Sequence, residues 1–247
     1  MNDGFLKAAA LSPSLRVADC AYNTSQILSQ LKDAAARGVR LAVFPEFCLT
    51  GYTCGDLFLQ RTLQQGALDG LQTLLDASRE LDVVALVGLP LLVRGKLYNC
   101  AAVLCGGRLL GLVPKTWLPN YAEFYERRYF TSGRRLEGCT VEIGAQTVPF
   151  GCDLLFCHRF MPELKVGVEL CEDLWAPDPP STALALAGAT VICNPSASDE
   201  LVTKDEYRRQ LVSSHAARLV CGYVYCNAGD GESTQDVVYT GQNLICE

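Results

Sequence analysis

Histidine, tryptophan and methionine are scarce in these 247 residues, two of each, and no two cysteines form a C-x-x-C pair. A zinc site or redox dithiol needs such ligands at close spacing, so neither is expected, and no metal ligands are assigned. Basic residues are outnumbered: 21 Lys and Arg face 27 Asp and Glu, and the net charge of −6 argues against a nucleic-acid partner. No uninterrupted apolar run reaches membrane-spanning length, and the N-terminus lacks the basic-then-apolar layout of a leader. The expected setting is the cytoplasm, with no membrane partner. No linker-like Pro/Ser/Gly stretch, charge run or internal repeat divides the chain, which therefore reads as one domain over residues 1–247.

Apolar side chains are abundant, at 49% of the chain, as are cysteines, of which there are thirteen. Cys100, Cys105, Cys193 and Cys226 lie inside strand-like apolar runs and read as small buried hydrophobes in a reducing compartment. The N-terminal half alternates strand and helix. Phe5–Ala10 reads as a strand, then Asn23-Thr24 offer caps for a helix with Ile27 and Leu31 on one face, ending at Gly38. Leu41–Phe44 is a strand closed by Pro45. A helix over Gln64 to about Leu81 follows, with Leu68, Leu71, Leu75 and Ser78 inward, then a doubly buried strand over Val83–Leu89.

Leu97–Leu104 and Arg108–Val113 flank Cys105-Gly106-Gly107, a hairpin signal. Val141–Val148 and Leu154–Cys157 read as further antiparallel strands. Strands at Leu164–Val168, Thr190–Cys193 and Gly222–Cys226 then alternate with helices around Thr182–Ala187 and Lys204–Val220. The class is α/β with a mixed sheet, the hairpin block being too large for a pure doubly wound fold.

Three strand ends carry chemistry. Leu41-Ala-Val-Phe-Pro-Glu46 delivers a carboxylate, Leu109-Leu-Gly-Leu-Val-Pro-Lys115 an amine, and Leu164-Lys-Val-Gly-Val168 leads to Glu169-Leu-Cys171, a thiol. Each residue alone reads as a rim or core residue. Together, in loops on a rigid scaffold, they form a nucleophile set that needs no histidine. Other conspicuous side chains have plainer readings. Cys48 and Cys54 suit packing, His215 suits the core face of a helix, His158 sits in a loop, and Arg127-Arg128 with Arg134-Arg135 suit a solvated face.

The runs Phe44-Pro-Glu46-Phe-Cys-Leu-Thr-Gly51-Tyr52, Lys115-Thr-Trp-Leu-Pro-Asn-Tyr121-Ala-Glu123-Phe-Tyr-Glu126 and Glu169-Leu-Cys171-Glu172-Asp173 resemble the carbon–nitrogen hydrolase, or nitrilase, superfamily. Asp56-Leu-Phe58, Cys171-Glu-Asp-Leu-Trp175 and Asn194-Pro-Ser196-Ala-Ser198 make the chain similar to one branch, the N-terminal glutaminase domain of glutamine-dependent NAD synthetase. The resemblance implies a nitrilase-like α-β-β-α sandwich with mixed sheets. It implies Glu46 as general base, Lys115 as cation, Cys171 as nucleophile and Glu123 as the second glutamate, with Glu126 a rival. Tyr121, Ser198, Lys204, Tyr52 and Glu172 match positions around the substrate.

The implied reaction is hydrolysis of L-glutamine through a cysteine thioester, in a carbon–nitrogen hydrolase (glutamine amidotransferase) domain that needs no cofactor. Its ammonia would serve ATP-dependent amidation of deamido-NAD. ATP and Mg would belong to a synthetase domain whose Ser-Gly-Gly-x-Asp-type loop is absent here, so that domain is the expected partner. The superfamily also implies a homo-oligomer. The chain stops at Thr240–Glu247 inside a strand-like run, so the expectation is a sandwich cut short at its C-terminus, either a fragment or a short chain. Two readings compete: a free-standing amidase or nitrilase on another small amide, and a catalytically incompetent scaffold.

Overall fold

The computed structural model describes residues 4–136 and 138–247. Its strands are β1 (Ala8–Ala10), β2 (Leu41–Val43), β3 (Val84–Val93), β4 (Lys96–Cys105), β5 (Arg108–Pro114), β6 (Cys139–Ile143), β7 (Gln146–Phe150), β8 (Leu155–His158), β9 (Met161–Val168), β10 (Val191–Ser196), β11 (Gly222–Asn227) and β12 (Leu244–Cys246). Its α-helices are α1 (Cys20–Ala36), α2 (Arg61–Ser78), α3 (Glu172–Trp175), α4 (Pro180–Leu186) and α5 (Lys204–Leu219). Seven strands form one sheet in the order β1-β2-β3-β4-β5-β7-β6, and five form the other in the order β12-β11-β10-β9-β8. Both are mixed: β1-β2-β3 and β9-β10-β11 run parallel, and the hairpins add antiparallel neighbours.

Strand alternation builds the layers. In β2–β4 and the turn after β2, Ala42, Phe44, Ala85, Val87, Cys100 and Ala102 face Ile27 and Leu31 of α1 and Leu71 and Leu75 of α2. The intervening Leu41, Val43, Leu86, Ala101 and Val103 pack against Val166, Val168, Cys193 and Val224 of the second sheet. That sheet's far face, through Ile192 and Tyr223, meets Leu184 of α4 and Val212 of α5. Because both faces of the inner strands are covered, they read as continuous apolar runs. The result is an α-β-β-α sandwich.

Some local readings shift. Asp19, not Asn23-Thr24, caps α1: its carboxylate accepts Tyr22 N–H at 3.0 Å. Asn23 and Thr24 lie inside the helix and face the core, where Asn23 ties the Arg16 and Leu49 backbone. The stretch 141–148 is not one strand but the core of the β6–β7 hairpin, and β7 joins β5 in parallel. Phe5, read as the start of the first strand, is exposed and precedes β1. In α2, Leu63, Ala67 and Leu74 are buried, while Leu68 is only partly so. Among the described residues, no helix is long and apolar enough to cross a membrane, and no group of three His, Cys, Asp or Glu side chains could hold a metal ion.

Candidate active site

The chemistry-bearing residues gather just beyond the carboxyl ends of β2, β5, β9 and β10, where open α/β sheets place their ligand sites. Glu46 stands on the turn after β2. Its backbone can pass close to β3 because residue 88 is glycine: a Cβ there would lie 2.2 Å from Phe47 N and 2.8 Å from Glu46 C. Glu46 is fully buried and every contact it makes is directed. Oε1 accepts from Lys115 Nζ at 2.7 Å and Asn99 Nδ2 at 2.6 Å, and Oε2 accepts from Ala197 N–H at 2.9 Å.

Lys115 follows β5 directly, its backbone N–H bonded to Asn99 O at 2.8 Å. Its Nζ donates to Glu126 Oε1 at 2.6 Å as well as to Glu46. Burial would strip the ammonium of its proton, but Glu126 and Glu46 outweigh it and hold Lys115 well above the ordinary amine range. Burial pushes the Glu126 carboxyl up to about 7, Lys115 pulling it down and Glu46 pushing it further up. Tyr52 O–H also donates to Glu126, at 2.8 Å.

Cys171 lies three residues beyond β9, buried, with φ +41° and ψ −99°. A side chain in such a conformation costs on the order of 1–3 kcal/mol and persists only where its surroundings over-determine it. Asp173 supplies part of that restraint. One oxygen accepts Leu170 N–H at 2.9 Å and the other Trp117 N–H at 2.6 Å, tying the cysteine turn to the segment after Lys115. Burial pushes the Cys171 thiol well above its usual range, Glu46 adds to the push, and Lys115 opposes it. Cys171 is therefore held as a neutral thiol within the electrostatic reach of the Glu46 carboxylate and the Lys115 ammonium.

The geometry departs from expectation at the second glutamate. Glu126, not Glu123, reaches Lys115, because the bend at 126–128 turns residue 126 inward. Glu123 is half-buried and faces Asp199 and Lys204, and burial with Asp199 pushes its carboxyl upward. Lys204 pairs with the buried Asp199, its Nζ 5.5 Å from the Trp175 ring centroid and 6.0 Å from that of Phe124. Tyr121, exposed, donates its O–H to Glu172 at 3.0 Å. Ser198 is buried, its N–H bonded to Asn227 Oδ1 and its hydroxyl 3.5 Å from Arg208 Nη2. An aromatic cleft of about 540 Å³, counting its open mouth, adjoins the cluster through Tyr52 and Glu126 and is walled by Phe47, Phe58, Phe124 and Tyr129.

Asn99, Arg208 and Glu232 escape the sequence reading, and Asp173 enters it only as part of the Cys171 run, with no role. Asn99 carried a signal, a polar residue inside the apolar run Leu97–Leu104. Glu232, fully buried, accepts Tyr52 N–H with both oxygens at 3.0 and 2.9 Å, and nothing local in Gly-Asp-Gly-Glu foretold it. Most plainer readings agree with the structure: Cys48 and Cys54 are buried, His215 bonds Ser181 Oγ at 2.7 Å, and Arg128 pairs with exposed Asp56 at 2.9 Å, whereas His158, read as a loop residue, ends β8.

A buried thiol, a carboxylate at hydrogen-bond distance from a lysine, and a second carboxylate behind that lysine stand together on an α-β-β-α sandwich, the groups that cysteine-based hydrolysis needs. Residues 7–246 match the carbon-nitrogen hydrolase family, and the chain belongs to it. Among curated proteins it is similar to the glutamine-dependent NAD(+) synthetase of Mycobacterium bovis, 43% identical over 244 residues, covering 99% of this chain and 36% of that one. The corresponding Thermotoga maritima protein is 34% identical over 240 residues, at 97% and 37% coverage. The solved glutamine-dependent NAD(+) synthetase from Cytophaga hutchinsonii superposes with a TM-score of 0.86 at 29% identity, over 98% of this chain and 39% of that one. The chain thus spans a little over a third of the length of these relatives.

Proposed function

We propose that this domain hydrolyses L-glutamine to glutamate and ammonia through a thioester on Cys171. The observation that carries the reading is the Glu46–Lys115–Glu126 cluster, with contacts of 2.7 and 2.6 Å, around a buried cysteine in a chain similar to glutamine-dependent synthetases. The amide carbonyl is a poor electrophile and the thiol is protonated, so attack needs a base. Glu46 takes the Cys171 proton as sulfur bonds the carbonyl carbon, and returns it to the departing ammonia. The developing oxyanion is stabilised by the Lys115 ammonium and the Glu172 N–H, each donor contributing on the order of 3 kcal/mol to the barrier. Water activated by Glu46 then cleaves the thioester.

Glu126, rather than Glu123, orients Lys115 in this scheme, with Asn99 and Tyr52 fixing Glu126 and Glu46. Charge complementarity supports Glu172 with Tyr121 as the receiver of the glutamine α-ammonium, and Lys204 with Ser198 as that of its α-carboxylate. The hydrolysis asks for no cofactor. By similarity to the longer synthetases, the ammonia would feed ATP-dependent amidation of deamido-NAD, with ATP and Mg on a separate synthetase domain.

The test is intact-mass spectrometry after treatment with a glutamine-mimicking diazoketone, followed by peptide mapping. A single adduct on Cys171, blocked by excess glutamine and absent in a folded Cys171→Ala variant, is expected. Scattered labelling, or propionamide outcompeting glutamine in steady-state assays, would overturn the substrate assignment.

A further inference from the structure

The left-handed backbone at Cys171 raises the question of what holds it. Its N–H donates to two acceptors, Asn194 Oδ1 at 2.9 Å and Pro195 O at 3.1 Å. Pro195 O is a main-chain atom that any residue there would present. Asn194 Oδ1 is a side-chain atom, and its direction is set by a chain of hydrogen bonds with one polarity. Tyr223 O–H donates to Glu169 Oε1 at 2.6 Å, so the tyrosine oxygen is left to accept. It accepts from Asn194 Nδ2 at 3.0 Å, which fixes the amide with its NH2 toward Tyr223 and its oxygen toward Cys171. Ser196 Oγ donates to the same oxygen at 2.7 Å, and Glu169 is anchored through its other oxygen by Ser181 N–H at 2.9 Å. Asn194, Ser196, Glu169, Ser181 and Tyr223 are all buried, so the orientation is decided within the protein rather than by water.

We propose that Asn194, oriented by Tyr223 and Glu169, is the positioning residue of the nucleophile: it keeps Cys171 in the strained turn that presents Sγ to Glu46 and Lys115. The role rests on the thioester reading above, but its geometry concerns the thiol and not the substrate. A buried asparagine that merely satisfies its own polar atoms would, when removed, lower stability and leave the folded enzyme's turnover intact. A positioning asparagine lowers turnover and spares binding, since substrate contacts lie elsewhere. Tyr223 acts through Asn194, so its loss should matter little once Asn194 is gone.

The experiment compares Asn194→Ala, Tyr223→Phe and the double variant by kcat, KM, thermal melting and the rate of Cys171 alkylation by iodoacetamide, read by peptide mapping. Folded Asn194→Ala should lose about thirtyfold in kcat with KM within about threefold, as expected for a displaced reacting atom. Its Cys171 alkylation should slow about tenfold, and the double variant should be no slower than Asn194→Ala. A kcat loss under about threefold in folded Asn194→Ala, or losses that multiply in the double variant, would overturn the assignment. If wild type does not hydrolyse glutamine, the functional reading fails, and alkylation alone decides this one: slowed supports it, unchanged overturns it. If Asn194→Ala does not fold, Tyr223→Phe decides: a loss of about threefold or more in kcat or alkylation supports the role, and less overturns it.

Discussion

Lys115 sits between two carboxylates with no water-exposed surface on its side chain, and that setting separates the two glutamates of the 121–126 segment. Of these two, Glu126 is the one that bonds Lys115. Glu126→Gln should therefore lower kcat by about a hundredfold, whereas Glu123→Gln should stay within about fivefold of wild type with its effect mainly on KM. Steady-state kinetics with glutamine distinguish the two, and equal losses would return Glu123 to the site. The pH profile follows from the same contacts. With Glu126 pushed up to about 7, protonation below that pH removes one of the carboxylates holding Lys115. The kcat/KM profile should fall as pH drops through about 7, and the limb near 7 should vanish in Glu126→Gln.

At the scale of elements, the site is an encounter of strand ends and turns. The Pro45–Phe47 turn lies against β3 so tightly that only a residue without Cβ fits at 88. Gly88→Ala should destabilise the fold by about 1–3 kcal/mol in urea unfolding, and it should cost activity as well, because the displaced segment carries Glu46. A stability loss with unchanged kcat would mean that the turn relaxes away from the site. This constraint was not legible in the sequence, where Gly88 is one glycine in an apolar strand. The helices and strands themselves were legible, since periodicity and turn residues announce them. Asn23 misled as a cap because its side chain serves a tertiary contact to Leu49 O, and Thr24 because its hydroxyl donates back to Cys20 O inside the helix. Asp19 took the role because it stands one residue before the first helical turn.

Across the whole molecule, Glu232 from the C-terminal segment braces the Glu46–Lys115–Glu126 cluster. Glu232 holds the Tyr52 backbone, Tyr52 bonds Glu126, and Glu126 bonds Lys115. Burial pushes the Glu232 carboxyl up to about 7, with the Tyr52 and Thr53 backbone groups pulling it down and Glu46 adding to the rise. The native state therefore binds a proton more tightly than the unfolded chain. Its contribution to stability is present below the unfolded carboxylate value, about 4.3, and is lost as pH rises through about 7. The neutral isostere Glu232→Gln should melt higher relative to wild type at pH 8 than at pH 5. A melting difference independent of pH would show that Glu232 is not buried as a titrating carboxyl.

The sequence by itself determined the layered α/β class and the strands with both faces buried, and it set Glu46, Lys115 and Cys171 just past the ends of three strands. Each of these is written locally, in an apolar run or in the residue that follows one. The tertiary structure alone decided which glutamate meets Lys115, how Asn99, Asn194, Tyr223 and Glu232 brace the cluster, and why residue 88 must be glycine. Apart from the Glu126–Lys115 pair, which the loop after β5 sets, those are contacts between segments far apart in the chain, where a side chain's partner is set by tertiary packing and leaves no periodic trace in sequence.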